Sequence, residues 1–165
     1  MPQDHSFDIV SKVNVQEVRN AVQMSLKEIA TRYDFKGTNA GVNLEEKPLG
    51  LILTADHEMQ LKNIIDLVLT KMAKRGVSMK SFKFEEVGKV SGGILQQRLT
   101  VQQGLSQEQA KAIVQAIKAL ELKVQPRIDG DCIRVLGRQI DDLQTVIKTL
   151  QGKDFGTAIQ VENYR

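Results

Sequence analysis

The sequence predicts an α+β protein built from two tandem βαββαβ units. Apolar residues switch between helical and strand spacing along the chain, and the order strand–helix–strand–strand–helix–strand occurs twice. Hydrophobic residues make up 41% of the 165 residues, so the chain can form a buried core. Aromatic residues make up only 4%, which leaves Ile, Leu, Val and Met to build most of that core.

The first unit is predicted to span residues 1–90. Asn14 is a candidate helix N-cap, and Glu17 follows three residues later, as in a capping box. Gly76 is the expected end of the second helix. The predicted elements are a strand at 6–13, a helix at 14–33, strands at 41–46 and 49–55, a helix at 57–75 and a strand at 81–87.

The tripeptide "SGG" at 91–93 interrupts this pattern, and a second unit is predicted over residues 91–165. Ser106 is its first helix cap, Asp129-Gly130 is a hairpin turn, and Pro126 favours an edge strand. The predicted elements are a strand at 94–101, a helix at 106–119, strands at 123–128 and 132–136, a helix at 139–151 and a strand at 158–164.

Apolar positions support an internal repeat. A shift of 82 residues places Leu51, Leu53, Leu61, Ile64, Ile65 and Val68 on Ile133, Val135, Leu143, Val146, Ile147 and Leu150. The βαββαβ order is the ferredoxin-like arrangement, in which both helices cover one face of an antiparallel sheet. We therefore expect two ferredoxin-like units.

Composition excludes several classes of protein. Cys132 is the single cysteine, and His5 and His57 are the only histidines, so neither an internal disulfide nor a zinc site is expected. The net charge of +3 is small for a protein that binds duplex DNA. The N-terminus lacks the pattern of a signal peptide and no apolar run is long enough to span a membrane, which predicts a cytoplasmic protein.

Four charged residues surround a predicted strand–turn–helix step: Arg134, Arg138, Asp141 and Asp142. The aspartates fall at the start of the predicted helix, where carboxylates accept backbone N–H groups and oppose the dipole. Neighbours on a helix point about 100° apart, which argues against a catalytic carboxylate pair. The arginines are the better candidates for binding an anion, because Arg138 stands at the helix N-terminus.

Strand alternation places Arg134 on an outward face, together with Lys123, Arg127 and Arg98. If these residues share one sheet, they form either a solvated face with cross-strand ion pairs or a surface that holds a phosphate or nucleotide. We predict that reversing Arg134 and Arg138 to Glu abolishes ligand binding and leaves the fold intact.

The segment "RYDFKG" is a second candidate site. We expect it to be extended, with Arg32, Asp34 and Lys36 on one side and Tyr33 and Phe35 in the core on the other. A carboxylate can accept hydrogen bonds from the Watson–Crick edge of guanine, and an arginine can bind its O6 and N7 or a phosphate. The polar side would therefore suit a guanine nucleotide.

An enzyme acting on nucleotides is a further hypothesis, but no motif of the sequence assembles a nucleophile, a base and a metal site. The glycines near residue 40 have no GxxxxGK[ST] pattern and follow a helix rather than a strand, so they do not predict a phosphate-binding P-loop. No histidine is linked to a Ser or Cys nucleophile. These features indicate a protein that is not an enzyme and has no cofactor.

The chain resembles the YajQ family of bacterial proteins along essentially its whole length. The resemblance is carried by "FDIVSKVNVQEVRNA", "RYDFKG", "KVQPRIDGDCIRVLGRQIDDLQTVIKTL" and "QVENYR". It implies two ferredoxin-like units that exchange their first strands, so that residues 6–13 join the second sheet and residues 94–102 join the first.

The resemblance also implies nucleotide binding without enzymatic activity. Some members of the family are implicated as cyclic di-GMP effectors that work with transcription regulators, and RNA binding has been suggested. Matched motif positions make Arg32, Asp34, Lys36, Arg134, Arg138 and Asp141 the candidate binding residues. The ligand would be cyclic di-GMP or GTP, and the alternative is an RNA-binding module. Against RNA, the third strands of both repeats lack the aromatic residues of an RRM.

Overall fold

The computed structural model describes residues 4–165 and has the predicted α+β architecture. Helices and antiparallel strands alternate in the expected order. The helices are α1 (Val15–Thr31), α2 (Glu58–Lys74), α3 (Gln107–Lys118) and α4 (Ile140–Gln151). The strands are β1 (His5–Val10), β2 (Gly41–Glu46), β3 (Leu49–Ala55), β4 (Phe82–Phe84), β5 (Gly88–Lys89), β6 (Leu95–Val101), β7 (Val124–Asp129), β8 (Cys132–Gly137) and β9 (Gln160–Glu162).

Each sheet has the strand order of a ferredoxin-like unit. One sheet runs β7-β8-β1-β9, and the other runs β2-β3-β6-β4 with β5 also paired to β6. All pairings are antiparallel. β7 lies at an edge, as Pro126 predicted, because proline has no N–H to donate to an inner neighbour.

The strand pairing contains the exchange that the family resemblance implies. β1, the first strand of the chain, pairs with β8 and β9 of the second repeat. β6, the first strand of the second repeat, pairs with β3 and β4 of the first repeat. Each repeat therefore supplies one of the two inner strands of the other repeat's sheet.

Because of this exchange, the compact units do not follow the division at 1–90 and 91–165. One unit consists of residues 13–102, and the other combines residues 4–12 with residues 103–165. We call them the 13–102 unit and the 103–165 unit. Hydrogen bonding to β3 and β4 keeps β6 in the 13–102 unit although it follows the "SGG" break in sequence.

Each unit has its own apolar core. Leu51, Leu53 and Leu99 are fully buried in the 13–102 unit, beneath α1 and α2. In the 103–165 unit, Phe7 and Ile9 from β1 pack with residues of α3, β8 and α4. The internal repeat predicted from the 82-residue shift matches this arrangement, since Leu51 and Ile133 are both fully buried strand residues.

Side-chain caps explain where α1 and α3 begin. Asn14 Oδ1 accepts hydrogen bonds from the backbone N–H groups of Gln16 and Glu17. The Glu17 side chain does not complete the expected capping box, because its carboxylate pairs with Arg75 at 2.8 Å. Ser106 is part of a complete capping box, in which Gln109 is the reciprocal partner.

The fourth strand of each repeat is much shorter than expected. The strand expected at 81–87 ends at Phe84, and the chain then continues irregularly along β6, with the Glu85 N–H donating to the Arg98 carbonyl at 2.9 Å. The strand expected at 158–164 contains only the three residues of β9. Both strands lie beside the exchanged inner strand of their sheet.

Candidate functional site

A cavity of about 630 Å³ opens at one end of the four-stranded sheet in the 103–165 unit. It lies where β8 leaves the sheet and α4 begins. We call it the Arg138 cavity. Its polar lining consists of Asp4, Lys123, Gln125, Arg138, Gln139 and Asp142.

Gly137 makes the tight step from β8 into α4 possible. A Cβ atom at this position would lie 3.1 Å from both Leu143 Cδ2 and Val124 Cγ1. Without a side chain here, Leu143 can pack against the end of the sheet, where it is fully buried. The sequence therefore brings the N-terminus of α4 directly to the cavity.

The cavity combines the cationic side chains of Lys123 and Arg138 with the carboxylates of Asp4 and Asp142 and with neutral hydrogen-bonding groups. The Arg138 side chain is 79% exposed, and its Nε lies 3.8 Å from Asp4 Oδ1, so the guanidinium is held only loosely. Gln139 occupies the N-cap position of α4 without capping the helix through its side chain. The first-turn N–H groups and Arg138 together favour an anion at this end of the cavity.

Arg134 occupies a different environment from Arg138. Its Nε donates to Asp8 Oδ1 at 3.0 Å, and Asn163 Nδ2 donates to Asp8 Oδ2 at 2.8 Å. The Asp8 side chain is only 7% exposed, whereas that of Arg134 is 48% exposed. The hydrogen bond from Arg134 lowers the pKa of Asp8, more than burial of the carboxylate raises it.

Arg134 and Arg138 therefore line separate cavities. Arg134 borders a small cavity of about 140 Å³ together with Ser6, Asp8, Asn163 and Arg165. A glutamate at position 134 would face the Asp8 carboxylate, so the double reversal at 134 and 138 is expected to destabilise the fold, contrary to the expectation from sequence.

Asp141 and Asp142 have different positions in the first turn of α4. Both belong to that turn, as predicted, but only Asp142 lines the Arg138 cavity. The strand alternation that made Arg134 a candidate gave no signal for Asp142, Gln125 or Gln139, because their convergence depends on the corner between β8 and α4.

The predicted basic face is divided between the two units. Arg127 lies directly opposite Arg134 in the β7–β8 register, and Lys123 lines the Arg138 cavity. Arg98 was expected on the same face, but it belongs to β6 in the sheet of the 13–102 unit. There its Nη1 donates to Glu45 Oε2 at 2.6 Å, which neutralises its charge locally.

The segment "RYDFKG" forms a turn after α1 and is not extended, which corrects the prediction. The N–H groups of Phe35 and Lys36 both donate to the Arg32 carbonyl, at 3.0 and 2.9 Å. As a result the two aromatic residues separate. Phe35 is in the core, as expected, whereas Tyr33 is 93% exposed, contrary to the expectation.

Within this turn, Arg32 is held by its neighbours. Its Nε lies 2.8 Å from Asp34 Oδ1 in an ion pair without hydrogen-bond geometry, and its guanidinium lies 4.7 Å from the centre of the Phe35 ring. Lys36 is exposed. The structure thus brings Arg32 and Asp34 together, but much of the charge of Arg32 is already balanced.

A buried glutamine fixes the turn to α2. Gln60 Nε2 donates to the Asp34 carbonyl and to Thr38 Oγ1, both at 3.2 Å, and its Oε1 accepts from the Asp56 N–H at 2.8 Å. The sequence gave no signal for this role, because Gln60 lies 26 residues beyond Asp34.

The described residues contain neither a candidate metal site nor a helix suited to crossing a membrane. Within residues 4–165, no three His, Cys, Asp or Glu side chains are grouped so that they could hold a metal ion. Over the same residues, no helix combines the length and the apolar character needed to cross a membrane.

Comparison with known proteins identifies the family. A family model described as "Nucleotide-binding protein YajQ-like" matches residues 5–165. A protein of Carboxydothermus hydrogenoformans, named nucleotide-binding protein, is 46% identical over 165 residues, which cover 100% of both chains. A protein of Geotalea daltonii with the same name is 49% identical over 160 residues, which cover 97% of this chain and 98% of the relative. The chain belongs to the YajQ family.

Proposed function

We propose that this protein binds a nucleotide in the Arg138 cavity and does not turn it over. The cavity carries the proposal, because it brings two cationic side chains, two carboxylates, a helix N-terminus and neutral amides to one concave surface. Its volume of about 630 Å³ lies within the roughly 300–1,000 Å³ that is usual for small-molecule sites. Relatives that span nearly the whole chain are named nucleotide-binding proteins.

The lining assigns different parts of a nucleotide to different side chains. The Arg138 guanidinium can hold a phosphate through two parallel hydrogen bonds, and Lys123 adds a compact charge. Asp142 can accept hydrogen bonds from a base, and Gln125 and Gln139 can both donate and accept. A guanine suits a carboxylate because its N1–H and N2 amino group are both donors.

The ligand that we propose to test first is cyclic di-GMP, with GTP as the second. Cyclic di-GMP has two phosphates and two guanines, and Arg134 is proposed to contact it beyond the cavity. Asp141 is proposed to act through the dipole at the start of α4. Arg32, Asp34 and Lys36 are proposed as a separate candidate nucleotide site within the 13–102 unit.

In this proposal the protein is a cytoplasmic effector that acts through a protein partner such as a transcription regulator. Ligand binding can alter such a partner's affinity only if the ligand binds one conformation of the effector better than another.

Isothermal titration calorimetry with cyclic di-GMP and GTP tests the proposal. We expect one saturable event, weakened about tenfold or more by Arg138→Gln, because a charged hydrogen-bonding group is lost. Arg127→Gln is the matched control on the same sheet but outside the cavity, and it should leave the affinity unchanged. Absence of heat with both nucleotides, or equal loss in the two variants, would contradict the assignment.

One observation favours RNA as a second candidate ligand. Arg127 and Arg134 face each other across β7 and β8, and Arg165 lines the small cavity beside Arg134. Like charges in directly opposed positions are unfavourable, and although the Asp8 carboxylate balances part of the charge of Arg134, phosphates bound on this face would reduce the remaining repulsion. RNA binding predicts a steep loss of affinity with salt and an equal or larger effect of Arg127→Gln than of Arg138→Gln, measured by gel shift.

A further inference from the structure

A groove of about 730 Å³ runs beside α2 in the 13–102 unit, and it shares Asp66 and Thr70 with a smaller cavity that Arg32 also lines. We call it the α2 groove. Leu69 and Ala73 contribute one apolar wall, and Val77 and Met79 contribute the other. Val77 is buried, whereas the Met79 side chain is 62% exposed although it is apolar.

Helix geometry and a chain reversal create the groove. Asp66, Leu69, Thr70 and Ala73 are spaced by three and four residues, so they lie along one face of α2. After α2 ends, Gly76 adopts φ +80° and the Val77 N–H donates to the Met72 carbonyl at 2.9 Å. This return folds the following segment back beside the helix.

The shape of the groove suits another helix. Ala73, Gly76 and Ser78 are small, so they allow a close approach. Exposed methionine adapts to different apolar partners because its side chain is unbranched and polarisable. An amphipathic helix commonly docks in such a groove through apolar anchors at positions i, i+3, i+4 and i+7.

The charges around the groove indicate the chemistry of that helix. Lys62 lies one turn before Asp66 on the same face of α2, Lys74 adjoins Ala73, and Lys80 adjoins Met79. All three lysines are exposed. Asp66 is the acidic residue in the lining, so among these four side chains the lysines outnumber the carboxylate.

We propose that the α2 groove docks an acidic amphipathic helix of another protein. The apolar walls would receive its hydrophobic face, and the three lysines would pair with flanking carboxylates. A second copy of this chain is a poorer occupant, because a two-fold contact through this face would bring lysines against lysines. The inference does not depend on nucleotide binding in the Arg138 cavity, since no residue of that cavity takes part in it.

A synthetic peptide of about 18 residues, roughly five helical turns, is the probe. It carries leucines at positions i, i+3, i+4 and i+7 and glutamates elsewhere, with a fluorescein label for anisotropy measurements on the full chain without nucleotide. One control peptide replaces every glutamate by lysine. Another keeps the composition of the probe but scrambles the leucine positions.

We expect the acidic peptide to bind and both control peptides to bind at least about tenfold more weakly. Ala73→Glu and Lys74→Glu should each weaken binding of the acidic peptide about tenfold or more, because one blocks an apolar wall and the other reverses a rim charge. Lys118→Glu, an exposed helix substitution in the 103–165 unit, is the matched control and should have no effect.

Three results would overturn the proposal. The first is no binding of the acidic peptide up to about 1 mM. The second is binding that Ala73→Glu leaves unchanged. The third is a concentration-dependent dimer in sedimentation that Ala73→Glu dissociates, since the groove would then hold a second copy of the chain. Circular dichroism of each variant verifies that the fold is retained.

Discussion

Replacing Phe7 by Ala tests the strand exchange through its energetic consequence. Phe7 belongs to β1 near the start of the chain, yet its side chain is fully buried in the core of the 103–165 unit. Its ring also stacks on Tyr164, with centroids 6.2 Å apart. Loss of the ring should leave a cavity among residues distant in sequence, including Ile113, Ile133 and Leu143.

The expected cost is about 3–5 kcal/mol, the usual range for removing a buried phenylalanine side chain. This loss should be local to the unit that buries the ring. Amide hydrogen exchange in α3 and α4 should accelerate by about 100-fold or more, since each 1.4 kcal/mol is a factor of ten. Exchange in α1 and α2 should change far less. Leu99→Ala should give the opposite pattern, because Leu99 of β6 is fully buried in the 13–102 unit.

Hydrogen exchange followed by mass spectrometry measures both patterns on the intact chain. Tyr33→Ala is the control for removal of an aromatic ring, because Tyr33 is 93% exposed and should leave exchange unchanged. Faster exchange in α1 and α2 of the Phe7→Ala variant, with α3 and α4 unaffected, would refute the exchange. A strand paired within its own repeat would produce that pattern.

Three further predictions concern stability. Arg134→Glu should lower the urea midpoint because it places a carboxylate against buried Asp8, whereas Arg138→Glu should leave the midpoint nearly unchanged because Arg138 is 79% exposed. The pKa of Asp8 is lower in the folded state than in the unfolded chain, where it is about 4. The ionised carboxylate therefore stabilises the fold above the unfolded-state pKa, and this stabilisation is lost as the pH falls through the folded-state pKa. The difference in urea midpoint between the wild type and Asp8→Asn should therefore shrink below about pH 4, and a constant difference would contradict this linkage. Ser106→Ala should cost about 1 kcal/mol in urea unfolding because it removes the capping box of α3, and an unchanged midpoint would exclude that role.

The candidate site was only partly predictable from sequence. Arg138 could be identified because a helix start after a strand is visible in the pattern of residues. Arg134 could be placed on the outward face, but its pairing with Asp8 could not, because 126 residues separate them and β1 was exchanged into this sheet. Tyr33 was expected in the core because alternation assumes an extended chain, whereas hydrogen bonds to the Arg32 carbonyl close a turn there.

By itself the sequence determined the class of the fold, the order of its elements and its edge strand. The class and the order of elements follow from local periodicity and from helix caps such as Asn14 and Ser106. The edge strand follows from Pro126, because proline has no N–H to donate to a neighbouring strand. The family resemblance implied the exchange of the first strands, but only the tertiary structure decided the register of the strand pairs and which charges meet. Those contacts depend on hydrogen bonds and packing between residues more than a hundred positions apart, and periodicity carries no information about such distant partners.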